Sequence, residues 1–426
     1  MTAPYLEQDP RRSGATTEAE DAWNGAVLSV RDLKVRFKTD DGEVKAVDGV
    51  SFDVFPNEVL GIVGESGSGK SVTSMAVLGL LPPSARISGE VLFKGRDLLR
   101  LPEGENRKLR GGRIAMVFQD ALAALNPVYN VGDQIIEAIH VHQPTLNKSQ
   151  LRERATELLD LVGISNPKAR IEQYPHEYSG GMRQRAMIAM SIANDPDVLI
   201  ADEPTTALDV TIQAQVLEVL ERIQDRTNSA IVLITHDLGV VAGMADRILV
   251  MYAGRPVEIG TVDEIFYAPT HPYSMGLLAS LPRLDRSADP GERLYRIKGQ
   301  PPSLIHVPPG CAFHPRCDYA QLPSPCATDE PALGEVGGRG RRSACHFAEK
   351  MLALSPTPTE GDLPSPWDVH TGAVDHNGVI SRANETGQWD QTPSDVSVGQ
   401  TDPGGGSVLA ATKEPSTLMP GEDIDD

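Results

Sequence analysis

The run Gly64-Glu65-Ser66-Gly67-Ser68-Gly69-Lys70-Ser71 carries the densest chemical signal in this sequence. Its glycines let a loop turn backbone N–H groups inward onto phosphate oxygens, and a helix starting there adds the positive end of its dipole. Lys70 supplies a cation for the β- and γ-phosphates, and the Ser71 hydroxyl a ligand for magnesium. Downstream, Asp202-Glu203 follow the apolar run Val198 to Ala201, and His236 follows Ala230 to Thr235. An acid at a buried strand tip suits a second magnesium contact, and an adjacent glutamate can orient or deprotonate water. His236 stands at a third strand tip.

Such groups need elements to hold them. Val59 to Val63 reads as a buried strand delivering the loop, and Ser71 to Leu80 as the helix after it. Alternating apolar residues over Val27 to Phe37 and Ala46 to Phe55, with Asp40-Asp41-Gly42 between, predict an antiparallel hairpin. Phe37 in that hairpin is equally suited to a core or to stacking on a nucleotide base. Residues 86 to 100 predict more β structure, and Arg113 to Phe118 a buried strand ending at Gln119. Helical spacing over Asn130 to His142 and Lys148 to Val162 predicts a helical insertion, closed by Gly163. Tyr178-Ser179-Gly180-Gly181-Met182-Arg183 opens a helix to Asn194, and Val210 to Arg226 forms another.

Composition sets the outer limits. The 426 residues carry a formal charge of -20, but residues 351 to 426 hold thirteen acids against Arg382 and Lys413. Residues 1 to 26 hold five acids against Arg11 and Arg12. The acidity is a property of the ends, so no nucleic-acid footprint is expected. No apolar run is long enough to span a membrane, and no signal peptide is read at the start. Residues 1–26 and 351–426 are expected to be disordered, and Trp367 and Trp389 in the tail are weak candidates for partner anchors.

The loop, Gln119, Ser179-Gly180-Gly181, Asp202-Glu203, Ala207-Leu208-Asp209 and His236, in that order, make the chain closely resemble the ATP-binding-cassette (ABC) ATPases from about Val27 to Gly260. The resemblance implies an α/β P-loop NTPase with an antiparallel β subdomain, a helical insertion at about 126–190, and a Cys-rich extension over 261–350. It implies that Phe37 stacks on adenine, that Gly64, Glu65, Ser66, Gly67, Ser68, Gly69, Lys70 and Ser71 bind ATP, and that Ser71, Gln119 and Asp202 hold Mg2+. Glu203 would be the general base, with His236 and Gln119 also at the reacting end. Ser179, Gly180, Gly181 and Met182 would act in trans on ATP held by a second subunit, with Asp209 in the D-loop. Tyr178 and Met182 depart from the family's common leucine and glutamine.

Tyr174 to Arg185, Gly61 to Ser66 and His271-Pro272-Tyr273 resemble the ATPase subunits of oligopeptide, dipeptide and nickel importers. That implies a peripheral subunit on the cytoplasmic side of the cell membrane. Its partners would be a second ABC ATPase subunit, favoured as a paralogue, two integral-membrane permease subunits and an extracytoplasmic substrate-binding protein. Cys311, Cys317, Cys326 and Cys345 are separated by five, eight and eighteen residues, without the paired C-x-x-C knuckles usual for zinc. The spacing leaves a [4Fe-4S] cluster, zinc and free or redox thiols open; the resemblance supports the cluster. Three rivals stand beside the peptide importer: a soluble non-transport ABC ATPase, the same role for export or for nickel or another small solute, and an iron-sulfur sensor with a vestigial ATPase.

Overall fold

The computed structural model describes residues 25–206, 208–281, 296–338 and 340–354, with the strand pairs 373–374 and 380–381. The readings for residues 1–24, Ala207, Trp367 and Trp389 fall outside the described residues. The chain divides into two units, Met1–Trp367 and Asp368–Asp426. In the second, the described residues form an antiparallel two-strand ladder.

Two sheets organise the first unit. Its strands are β1 (Leu28–Thr39), β2 (Gly42–Val54), β3 (Val59–Val63), β4 (Ala85–Phe93), β5 (Arg96–Asp97) and β6 (Ile114–Val117). They continue as β7 (Val198–Asp202), β8 (Ala230–Thr235), β9 (Arg247–Tyr252), β10 (Arg255–Thr261), β11 (Gly334–Glu335) and β12 (Arg342–Ser343). The hairpin β1–β2 turns at Asp40-Asp41 and joins β4 and β5 in an antiparallel sheet of order β2-β1-β4-β5. The central sheet runs β11-β12-β10-β9-β3-β8-β7-β6, parallel from β9 to β6. Strands β3, β7 and β8 are apolar up to their last residues because both faces are covered. Leu60, Ile62, Val198, Ile200 and Val232 pack toward the antiparallel sheet, while Val59, Val63, Leu199, Ala201 and Leu233 face a core shared with the helical insertion.

The insertion contains Val131–His142 and Lys148–Leu161, each with an asparagine N-cap, Asn130 accepting from Asp133 N–H and Asn147 from Gln150 N–H. Gly163 follows with φ of +73°. Two limits differ from the sequence reading. The helix after the glycine loop, Lys70–Val77, stops before Leu80 because Gly79 turns out at φ +62°. Met351, where the sequence reading begins the tail, lies instead in helix Ala348–Leu354 at 1 % exposure. Beyond Leu354 the rest of that reading, apart from the two strand pairs, falls outside the described residues.

The extension beyond residue 261 does not fold apart. β12 pairs with β10 through Glu258–Ser343 and Ile259–Arg342, so the extension prolongs the central sheet. Glu258, fully buried, accepts from Thr270 N–H and Oγ1 at 2.6 Å and from His271 N–H at 3.1 Å. His271 Nδ1 in turn accepts from Tyr273 N–H at 3.1 Å, capping helix Pro272–Ala279. Burial pushes His271 down to about 3, so the cap stays neutral. The His-Pro-Tyr motif is thus a capped corner that aims Tyr273.

Candidate ATP site in the central sheet

Parallel order assembles the site. Val63 lies opposite Thr235, Ile234 opposite Asp202, and Ala201 opposite Val117, so β3, β8, β7 and β6 end side by side. Gly64, His236, Glu203 and Gln119 leave neighbouring strand tips, the position where open α/β sheets bind ligands. His236, Glu203 and Gln119 share a cleft of about 680 Å³ with Phe37, Ser66, Gly67, Gly69, Lys70, Ser71 and Leu304.

The loop is shaped by contacts only glycine permits. A Cβ on Gly64 would lie 2.2 Å from the Met251 carbonyl oxygen, and one on Gly69 2.4 Å from that of Ala46. Lys70 Nζ folds back, donating to the carbonyls of Gly64 at 2.7 Å and Glu65 at 3.2 Å. Burial lowers the pKa of Lys70, against the pull of Glu203, Asp202 and Glu65. Ser71 Oγ donates to Asp202 Oδ1 at 3.0 Å. Burial raises the pKa of Asp202; the Ser71 hydrogen bond opposes this. A hydroxyl and a carboxylate this close are hard oxygen donors of the kind Mg2+ takes alongside phosphates and water, so the residues fit that ion.

Glu203 occupies the left-handed region at φ +48°, costly for a residue with a side chain, while its N–H still donates to the Ile234 carbonyl at 2.8 Å. Its Oε2 accepts from Thr206 Oγ1 at 2.8 Å and Gln119 Nε2 at 3.0 Å, with His236 Nδ1 at 3.4 Å. Thr206 is a contact the sequence reading missed. Ser179, Gly180, Gly181 and Met182 do not line this cleft. Ser179 Oγ caps helix Gly180–Ser191 from Met182 N–H at 3.3 Å, and a Cβ on Gly180 would meet nothing within 4 Å. Asp209 caps Val210–Thr227 by accepting from Ile212 N–H at 3.0 Å.

The ABC transporter family pattern matches residues 47–206, and that of the oligopeptide/dipeptide transporter C-terminal region matches 257–323. The dipeptide transport ATP-binding protein of Bacillus subtilis is 56% identical over 68% of this chain and 86% of its own. The chain belongs to the ABC transporter ATP-binding proteins. Within that family, the oligopeptide transport ATP-binding protein of Escherichia coli is 49% identical over 75% of this chain and 93% of its own. That of Mycobacterium tuberculosis is 54% identical over 77% of this chain, which spans about half (53%) of that relative's length. A bacterial ABC transporter cassette solved as a dimer superposes with a TM-score of 0.51 at 25% identity, covering 55% of this chain and 98% of that one.

The C-terminal region that marks this branch of the ABC family reaches the cleft. The Leu304 carbonyl accepts from Lys45 N–H at 3.1 Å, bringing Leu304 to the cleft wall. Tyr273 and Arg316 both bond Glu65 of the glycine loop. Nothing local in the sequence announces these contacts, although the His-Pro-Tyr run lies beside one of them. The four cysteines line one small cavity with His271, Phe313 and Phe347. Gln321 N–H and Phe347 N–H point to the sulfurs of Cys326 and Cys345 at 3.4 Å. Burial pushes the thiols of Cys317 and Cys345 up to about 11 and 12. Among the described residues, no three His, Cys, Asp or Glu side chains form a group able to hold a metal ion. No helix there is long and apolar enough to cross a membrane.

Proposed function

We propose that this chain binds and hydrolyses ATP to energise uptake of oligopeptides or dipeptides through a membrane importer. The observation that carries the reading is the row of strand tips presenting the glycine loop, Glu203, His236 and Gln119 to one cleft, with Asp202 joined to it through Ser71, in a chain whose relatives are peptide transport ATP-binding proteins. Phe37 stacks on the base, Lys70 and the loop amides receive the phosphates, and Ser71, Asp202 and Gln119 hold Mg2+. Bound there, Mg2+ neutralises phosphate charge. Glu203 takes the proton from the attacking water, held in aim by Thr206 and by its strained backbone, and His236 stands beside the γ-phosphate.

Ser179 to Met182, outside the cleft and with open space over Gly180, act on ATP held by a second ATPase subunit, a paralogue on the subfamily resemblance. Their helix N-terminus then faces the γ-phosphate, and closure of the pair completes the hydrolytic site. Asp209 lies on the same route between subunits.

Two permease subunits, fed by an extracytoplasmic binding protein, complete the machine, with this chain peripheral on the cytoplasmic side of the membrane. An apolar groove of about 350 Å³ beside Gln119 supports the permease contact; Leu80, Phe118, Val141 and Met190 line it between the central sheet and the insertion. In cells of the source organism, Glu203→Gln is expected to abolish uptake of labelled di-, tri- and pentapeptides while an unrelated solute enters normally. Unchanged peptide entry would refute the peptide assignment and turn the search to nickel or another small solute.

The four cysteines hold a [4Fe-4S] cluster in this proposal. Their convergence on one cavity supports it. Protein purified without oxygen is expected to contain iron and acid-labile sulfide. Zinc alone, or no metal, would defeat that assignment.

A further inference from the structure

Every polar group of Glu65 is engaged. Its N–H donates to Tyr273 Oη at 2.9 Å, and its carbonyl accepts from Lys70 Nζ and from Ser68 N–H, both at 3.2 Å. Its carboxylate takes both arms of the Arg316 guanidinium, at 2.7 and 3.0 Å. Arg316 is itself firmly seated. Its side chain is 6% exposed, its Nε donates to the Lys298 carbonyl at 2.8 Å, and its guanidinium lies 5.7 Å from the centre of the Tyr252 ring and 6.0 Å from that of Phe313. A two-pronged Arg–carboxylate pair of this kind fixes geometry as well as charge.

When Lys70 turns to phosphate, the role proposed for it above and the one this inference rests on, Nζ must leave the carbonyls of Gly64 and Glu65. The long-range anchors that remain on Glu65 are Tyr273 and Arg316, both from the C-terminal region. Glu65 is also the only acid between Gly64 and Ser71. Unpaired, its charge would oppose an incoming polyphosphate at close range.

We infer that Arg316 is a positioning residue for the nucleotide site: it holds Glu65, and with it the amide cradle, in receptive form, and cancels the one negative charge inside the loop. Arg316 stands on the turn His314–Arg316 between Cys311 and Cys317. ATP affinity therefore depends on the fold of the Cys-lined extension.

The test titrates the whole chain with MgATP, following secondary structure by circular dichroism. Arg316→Met is expected to weaken binding about tenfold with the spectrum unchanged, and in the assembled transporter to raise KM for ATP while leaving kcat. Glu65→Gln should weaken it less. The double variant should bind no worse than Glu65→Gln alone, because an uncharged amide at that position needs no counter-ion, and added salt should narrow the Arg316→Met defect. Wild-type affinity in Arg316→Met, or single losses that multiply in the double variant, would overturn the inference. Should Arg316→Met fail to fold, Arg316→Lys keeps the charge without the fork; about a threefold loss is expected, and wild-type affinity refutes the role. Lys70→Ala separates the two readings. If it binds MgATP normally, the phosphate site lies elsewhere and the inference falls with it; if it loses binding while Arg316→Met does not, Arg316 alone is refuted.

Discussion

Glu203→Gln is expected to slow ATP hydrolysis about a thousandfold while leaving MgATP affinity within about twofold of wild type. The substitution keeps the shape of the side chain and its capacity to accept from Thr206 Oγ1, 2.8 Å away. It removes the basic oxygen, and nothing else about the site must change. The left-handed backbone at φ +48° persists, because glutamine meets the same steric cost there as glutamate. Lys70, Ser71 and Asp202, to which the proposed function gives the phosphates and Mg2+, are untouched. Phosphate release from the reconstituted transporter, read beside nucleotide titration of the same preparation, separates turnover from binding. A rate within tenfold of wild type would assign the base to another group. A parallel collapse of binding would mean that Glu203 holds the loop and does no chemistry.

Gly64→Ala is expected to weaken MgATP binding by about a hundredfold, equivalent to about 2.8 kcal/mol, and to lower the thermal midpoint as well. The new methyl would lie 2.2 Å from the Met251 carbonyl oxygen and 2.9 Å from Ser68 Oγ. Ser68 could rotate away, but Met251 is fully buried in β9, which is laddered to β3 on one side and β10 on the other. The strand cannot yield, so the loop must, and overpacking of this kind costs about 1–3 kcal/mol in stability. Displacing Gly64 also moves the carbonyl on which Lys70 rests and turns the cradle's amides off their target. Gly67→Ala is the internal comparison. Its added carbon meets nothing within 4 Å, and only the φ of +79° is strained, at about 1–2 kcal/mol. Affinity in Gly64→Ala equal to that in Gly67→Ala would refute the steric account.

Much of the site was legible in the residues themselves. A glycine loop between an apolar run and a helix, acids at one strand end and a histidine at another are local patterns, and each asks for one kind of backbone. The starts of four helices follow the same local rule, since Asn130, Asn147, Ser179 and Asp209 cap from within their own turn. The neighbours of those motifs were a different matter. Thr206 escaped notice because a threonine after a Glu-Pro pair has no special spacing; only the strained turn at Glu203 brings its hydroxyl to the carboxylate. His-Pro-Tyr served as a mark of kinship, while its physical work is to cap a helix and send Tyr273 to Glu65.

The sequence by itself determined the chemistry available, the strands that deliver it and the family that uses it. Tertiary structure decided which motifs meet: the order β3-β8-β7-β6 that lines up four tips, the continuation of the sheet through β12, and the clamp between Glu65 and Arg316, 251 residues apart. The physical reason is range. Caps, turns and apolar periodicity act over a few residues, so the chain states them locally. Strand order and ion pairing depend on which surfaces come together, and that is settled only when both faces of the central sheet are covered.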